Sequence, residues 1–388
     1  MGRRNLAIWS LVATVVVVLI AAWVVYVVWR SPQRDALANF GSYAVAVVVG
    51  VVAVVSRVQV IARRRENAQL DATQLEHLAD LLAEAVKDQW VRAASDRGLL
   101  QAEPIPVRWR KPPMAVTGPP SAAAGSTRFE PLPGMPAVSH QRLRGGRISD
   151  LHAVYGGLGS GRLVIIGAPG AGKSGAAVLL VLAALKHRGQ VSAEDRQRVP
   201  IPVMFTMHGW DPRQQRVHDW LVVRLQQTYP LFAGRFGGRK AAAVLAAGKI
   251  SVILDGLDEI PRDMRLVALR ALNQQADFRL VVLARSAEMT DAAVYGSLDD
   301  AAALELEAID ALTAASYLDR VQLHPAPRPW RELCGRLRGA PDSPLARALG
   351  NPLTLTLVRD TYSLAAVASL TPSFPGVTAG RWESLPDS

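Results

Sequence analysis

Hydrophobic positions follow three different regimes along this chain. From Leu6 to Trp29 they run almost unbroken, with only Ser10 and Thr14 as mild interruptions, and a second run over residues 36–56 has Ala44 to Val55 as its apolar heart. A helix of about 24 residues rising 1.5 Å each covers a hydrocarbon core of about 30 Å. The pattern therefore predicts a two-helix transmembrane hairpin within residues 1–62, with spans over about 6–29 and 36–56. Trp9, Trp23, Tyr26 and Trp29 lie toward the ends of the first run, where amphipathic rings prefer the membrane interface.

The second regime is periodic. Across residues 63–100, Leu75, Leu78, Leu82, Ala85, Val86 and Trp90 recur at three- and four-residue spacing between charged positions, the signature of an amphipathic helix. Such a helix either pairs with another protomer as a coiled stalk or packs on its own domain; the periodicity fits both. Residues 101–142 lose the period and are rich in Pro, Gly, Ala and Ser, a composition that reads as a linker.

From residue 143 the pattern changes again. Short apolar runs at Arg162–Ile166, Ile201–Met207, Ile250–Leu254, Arg279–Leu283 and Ala303–Ala308 alternate with helical stretches such as Gly175–Lys186, Val217–Gln227 and Met264–Gln274. Strands alternating with helices predict an α/β fold, a three-layer sandwich around a parallel sheet, over residues 143–310. Its ligand belongs at the carboxyl ends of the strands. Residues 311–362 read as a partial helical subdomain and 363–388 as a disordered tail.

Charge orients the hairpin. Arg3 and Arg4 precede the first span and Arg57, Arg63, Arg64 and Arg65 follow the second, outnumbering Arg30 and Arg34 between them. The excess places both termini and the following domain on the cytoplasmic face of the cell membrane. A cleaved signal peptide conflicts with the length of the first run and with the second span directly after it. The net charge of +11 comes without a zinc-finger, homeodomain or RNP-type signature, which argues against nucleic acid as a partner. A single cysteine, Cys334, excludes an intrachain disulfide and reads as a small buried residue.

Two segments carry chemistry. The run ending at Ile166 leads into Gly167-Ala168-Pro169-Gly170-Ala171-Gly172-Lys173-Ser174 and then a helix from Gly175, which is G-x-x-x-x-G-K-[ST] between strand and helix. Glycines let successive backbone N–H groups turn toward phosphate oxygens, and the helix N-terminus adds partial positive charge there. Lys173 is placed to reach the β- and γ-phosphates and Ser174 to bind Mg²⁺. The run ending at Leu254 leads into Asp255-Gly256-Leu257-Asp258-Glu259. Asp255 takes the second metal contact, Glu259 is the candidate to polarise an attacking water, and Asp258 shares that task or helps hold the metal. Arg285, after the neighbouring run, is the candidate γ-phosphate sensor, with a structural ion pair as the alternative. His208 follows another strand and reads as a loop histidine. The implied cofactors are ATP or ADP and Mg²⁺.

Together these motifs resemble the NACHT family of signal-transduction ATPases (STAND class), in its bacterial membrane-anchored form. The resemblance rests on Gly167–Ser174, Leu254–Glu259, Arg285 and Gly350-Asn351-Pro352-Leu353, and covers about residues 143–362. It implies that Pro352 touches the adenine or ribose, with Gly350 permitting close approach. Pro104–Trp109 is similar to a segment preceding this domain in actinobacterial members. The family resemblance further implies a switch that exchanges ADP for ATP, self-associates, signals to a protein partner and resets by slow hydrolysis. Family members continue into a winged helix and a repeat sensor, so the expectation here is a truncated relative or sensing elsewhere. The competing readings are a nucleotide-binding interaction protein with little or no hydrolysis, and a P-loop kinase or transport ATPase.

Overall fold

A computed structural model describes residues 71–101, 104–322 and 325–362. The predicted membrane hairpin and the predicted tail lie outside the described residues, and no described helix is long and apolar enough to cross a membrane. The described chain is α/β. One sheet joins β1 (Arg108–Arg110), β2 (Gly145–Arg147), β3 (Arg162–Gly167), β4 (Ile201–Thr206), β5 (Ile250–Asp255), β6 (Leu280–Arg285) and β7 (Ala302–Leu306), in the order β2-β1-β7-β3-β6-β5-β4. Strands β3 to β7 are the five apolar runs of the sequence, and they pair in parallel. The central β3, β5 and β6 read as near-continuous Val, Ile and Leu because both of their faces are covered; every residue of β3 is buried, while β7 alternates buried and half-buried positions.

The sequence predicted a parallel sheet, but the sheet is mixed. β1 pairs antiparallel with both β7 and β2. Arg-Trp-Arg and Gly-Gly-Arg carry too few residues to show any apolar alternation, so neither strand was visible in the pattern.

Nor is the stretch over 101–142 a free linker. Trp109, only 2 % exposed, buries its ring under the sheet edge and donates its indole N–H to the Arg147 carbonyl at 2.9 Å. Beyond it, a short helix α2 (Pro120–Gly125) and the buried side chains Val116, Leu132 and Val138 strap the segment onto the core. The backbone N–H groups of Phe129, Leu132 and Val138 donate to the carbonyls of Gly159, Gly156 and Gly157. Prolines in the strap have no N–H to satisfy, and the glycine run admits the strap because a Cβ on Gly157 or Gly159 would collide with the carbonyl oxygens of Pro136 or Ser126.

The amphipathic helix forms as α1 (Ala72–Asp96), capped by the Asp71 carboxylate accepting from the Gln74 N–H at 2.6 Å. Its stripe packs on its own domain: Leu78, Leu82, Val86 and Trp90 are buried, each contributing on the order of 1.5–3 kcal/mol. Further helices follow in chain order: α3 (Leu151–Gly157), α4 (Lys173–Gln190), α5 (Ala193–Arg196), α6 (Val217–Thr228), α7 (Gly237–Ala246), α8 (Arg262–Gln275) and α9 (Ser286–Ala293). α1 lies against α4 and α7, and Asp80 pairs with the buried Arg188 of α4 at 2.7 Å.

After β7 the described chain is helical, as α10 (Ala311–Val321), α11 (Arg328–Gly339), α12 (Pro344–Leu349) and α13 (Pro352–Tyr362). These helices share a separate core that includes Tyr317, Leu318, Trp330, Cys334, Leu337 and Leu355. Burial, with Asp319 alongside, pushes the Cys334 thiol up to about 12, so this cysteine packs rather than reacts.

Candidate functional site

Spatial order explains how two distant motifs meet. β6 lies between β3 and β5, and the parallel register sets Arg285 of β6 beside Gly167, where β3 ends. The loop from Ala168 to Gly172 therefore opens at the carboxyl edge of the sheet, with the end of β5 one strand further along. Gly170 and Gly172 take φ of 75° and 89°, a backbone conformation that strains any side chain, and α4 starts at once with Lys173.

The Ser174 hydroxyl donates to Asp255 Oδ2 at 2.8 Å, joining the two motifs directly. The Lys173 ammonium donates to the carbonyls of Gly167 at 2.9 Å and Ala168 at 3.0 Å. Burial lowers the pKa of this lysine, while Asp258 and Asp255 pull the other way. A hydroxyl and a carboxylate converging in this manner fit magnesium, which takes one or two protein oxygens and completes its octahedron with phosphate and water.

The acids after Asp255 part company. Gly256 bends the chain with φ of 84°, and a single 3₁₀ turn follows over Leu257–Glu259. Asp258 points to the β6 side and accepts from Arg285 Nε at 2.8 Å. Glu259 is exposed and lines a neighbouring groove with Met207, His208, Trp210 and Arg213. Arg285 is thus engaged by Asp258 in an ion pair, and Glu259 sits toward the end of β4.

The helical segment supplies a wall. Asn351 Nδ2 donates to the Pro169 carbonyl at 3.0 Å, across 182 positions of sequence, and a Cβ on Gly170 would lie 2.6 Å from that amide. Pro352 stands 3.8 Å from where a Gly172 Cβ would be. Gly350 is tight against another surface: its Cβ position is 2.9 Å from the Ile309 carbonyl, and its own carbonyl accepts from the Ile309 N–H at 2.8 Å. It fastens the join between α12 and α13 to the segment after β7.

Between the loop and α13 lies a cavity of about 520 Å³. Gly170, Gly172, Lys173, Ser174, Gly175 and Pro352 line one part. Leu99, Ile105, Val107, Ile148, Leu179 and Arg359 are among those lining the rest, together with Asp96 and Asp360; none of the first six was singled out from the sequence as a site residue. The Pro104–Trp109 stretch was the only signal that could have found two of them. Set against known proteins, the chain matches no family model and no curated sequence, so the functional reading stands on this geometry.

Proposed function

We propose that the chain is a nucleotide-operated switch that binds a purine nucleoside triphosphate, ATP, with Mg²⁺ and hydrolyses it slowly. In this reading the fold is the three-layer P-loop sandwich of a NACHT-type ATPase. The described domain is held at the cytoplasmic face of a membrane by the hairpin within residues 1–62, and its output is self-association or a protein partner. The observation that carries the reading is the 2.8 Å contact between Ser174 and Asp255, made beside an ammonium that lies on the glycine loop.

Each residue then has a defined task. The amides of Gly170 to Ser174 and the N-terminus of α4 receive phosphate oxygens. Lys173 would exchange two carbonyl acceptors for charged phosphate oxygens, a stronger partner. Ser174 and Asp255 would hold the magnesium ion, which supplies neutralisation of phosphate charge when bound. Pro352 would cover the ribose, the apolar residues beyond it would face the base, and Asn351 ties that cover to the loop.

Calorimetry on nucleotide-stripped protein tests the proposal: Mg·ATP should give a saturable heat that Lys173→Ala abolishes. No heat with any purine triphosphate would sink it. A version without residues 1–57 should leave the membrane fraction and still bind ATP.

One observation favours a second reading, a binding module that barely hydrolyses. Glu259 faces the groove beside β4, and Arg285 is engaged by Asp258. Phosphate release separates the two. The switch expects Glu259→Gln to fall well below wild type; equal, near-zero rates favour the binding module.

A further inference from the structure

Arg359 is a buried cation that the phosphate chemistry does not use. It stands on α13 seven positions after Pro352, two helical turns and about 10 Å further along the same face. Pro352 stands beside Gly172 of the glycine loop, and Arg359, further along the same helix face, lines the part of the cavity away from that loop. Its side chain is 7 % exposed.

Three of its contacts fix the guanidinium. Nη1 donates to Gln101 Oε1 at 2.7 Å and to the Tyr317 hydroxyl at 2.9 Å, and Nε donates to Asp360 Oδ1 at 2.6 Å. These partners come from the segment after α1, from α10 and from α13 itself, so the planar group cannot swing without breaking several bonds. The remaining nitrogen, Nη2, has no hydrogen bond among the described residues. It is pressed against Gly98, where a Cβ would sit 2.8 Å away and where φ is +63°. Arginine presents five N–H donors in a rigid fork; here the engaged side of the fork is anchored and the Nη2 pair is left for another acceptor.

Resting on the ATP-binding reading, we propose that Arg359 is a specificity-determining residue that reads the nucleobase, donating from Nη2 to a ring nitrogen on the far edge of the adenine. Ribose and phosphate fall nearer the loop, within reach of Pro352 and Lys173. A one-ring pyrimidine ends short of the guanidinium. The same anchored group therefore favours purine over pyrimidine by length, and it couples base recognition to the join between the N-terminal segment and the helical region.

The test compares dissociation constants for Mg·ATP, Mg·UTP and inorganic tripolyphosphate in the full chain and in Arg359→Gln and Arg359→Lys. ATP affinity should fall about tenfold or more in both variants, which corresponds to about 1.4 kcal/mol. The ATP-to-UTP preference should shrink by a similar factor, and tripolyphosphate should bind as in wild type. Tyr317→Phe keeps the guanidinium and removes one anchor, so it should lower the same preference two- to fivefold and stands in if the arginine variants do not fold. Unchanged ATP affinity, or an equal loss for ATP and tripolyphosphate, overturns the proposal, since the second is what a purely structural arginine gives. Wild-type protein that takes neither ATP nor tripolyphosphate overturns the ATP-binding reading itself.

Discussion

The two ends of the cavity are built in different ways. At the loop end the functional surface is main chain held by two left-handed glycines, and the side chains that join it, Lys173, Ser174 and Asp255, bond to the loop or to one another. At the far end the wall is side chains from separated segments: Leu99 and Ile105 on either side of residues 102–103, Ile148 after β2, Leu179 on α4 and Arg359 on α13. A main-chain cradle is rigid and indifferent to side-chain identity except where a Cβ is forbidden. A wall of side chains from several elements is specific, and it moves if those elements shift. The loop end therefore supplies affinity for any triphosphate, and the far end supplies selectivity and a mechanical link to α1 and α13.

Substitutions at the loop end should produce the largest losses. Lys173→Ala removes a charge-assisted donor from the phosphates, worth about 1.5–3 kcal/mol per bond, and two such bonds predict a loss of 100-fold or more in Mg·ATP affinity by calorimetry. Its fold should persist, because the ammonium bonds only to exposed or half-buried loop carbonyls. Ser174→Ala should act through the metal: the gain in ATP affinity on adding Mg²⁺ shrinks about tenfold, while binding in EDTA stays within twofold of wild type. A Ser174→Ala protein that responds to Mg²⁺ as wild type does would remove Ser174 from the ion site.

Asn351→Ala probes the join between the ends. It breaks the hydrogen bond to Pro169 and the one that Asn351 Oδ1 accepts from the Leu353 N–H at the start of α13; the first, worth about 1 kcal/mol, joins the two ends, so ATP affinity should fall about fivefold. Tripolyphosphate affinity should not follow, because the cradle keeps its own backbone geometry. Equal losses for both ligands would mean that α13 shapes the loop itself, and the division between the two ends would dissolve.

The same division decides what could be read from the sequence. The loop end is written in contiguous residues, since a strand, a glycine turn and a helix N-terminus must follow one another to make it; Gly167 to Ser174 and Asp255 were legible for that reason. Strands β3, β5 and β6 were legible because burial on both faces leaves near-continuous Val, Ile and Leu, and β4 and β7 because their mostly buried apolar residues still stand out between helical stretches. Leu99, Ile148, Leu179 and Arg359 had no local pattern to betray them, because only the tertiary fold brings them within one cavity. The strap over 104–142 was misread because composition treats a segment as an isolated chain. Trp109, Leu132 and Val138 order it by burial against Gly156–Gly159, a surface that no local window contains. Glu259 shows the limit at the loop end as well: a motif places a residue in the chain, while the turn at Gly256 decides which groove its carboxylate faces.

The smallest effect on binding belongs to a pair of histidines remote from both ends. His152 on α3 and His187 near the end of α4 lie 5.3 Å apart between ring centroids, fourteen positions past Lys173 along a helix that rises 1.5 Å per residue. Burial, and secondarily the charge of His187, lowers the His152 pKa from 6.5 to about 4. Between those values the unfolded chain binds a proton that the folded protein refuses, so the stability held above pH 6.5 falls as pH drops toward 4, by on the order of 3 kcal/mol. Denaturant melts across that window should show the slope, and His152→Leu should flatten it. Mg·ATP affinity measured in the upper half of the window, where the protein is still folded, should differ between wild type and His152→Leu by less than twofold. A larger difference would mean that the packing behind α4 is transmitted along the helix to the glycine loop, and the cradle would then not be rigid in the sense that distinguishes it from the far wall.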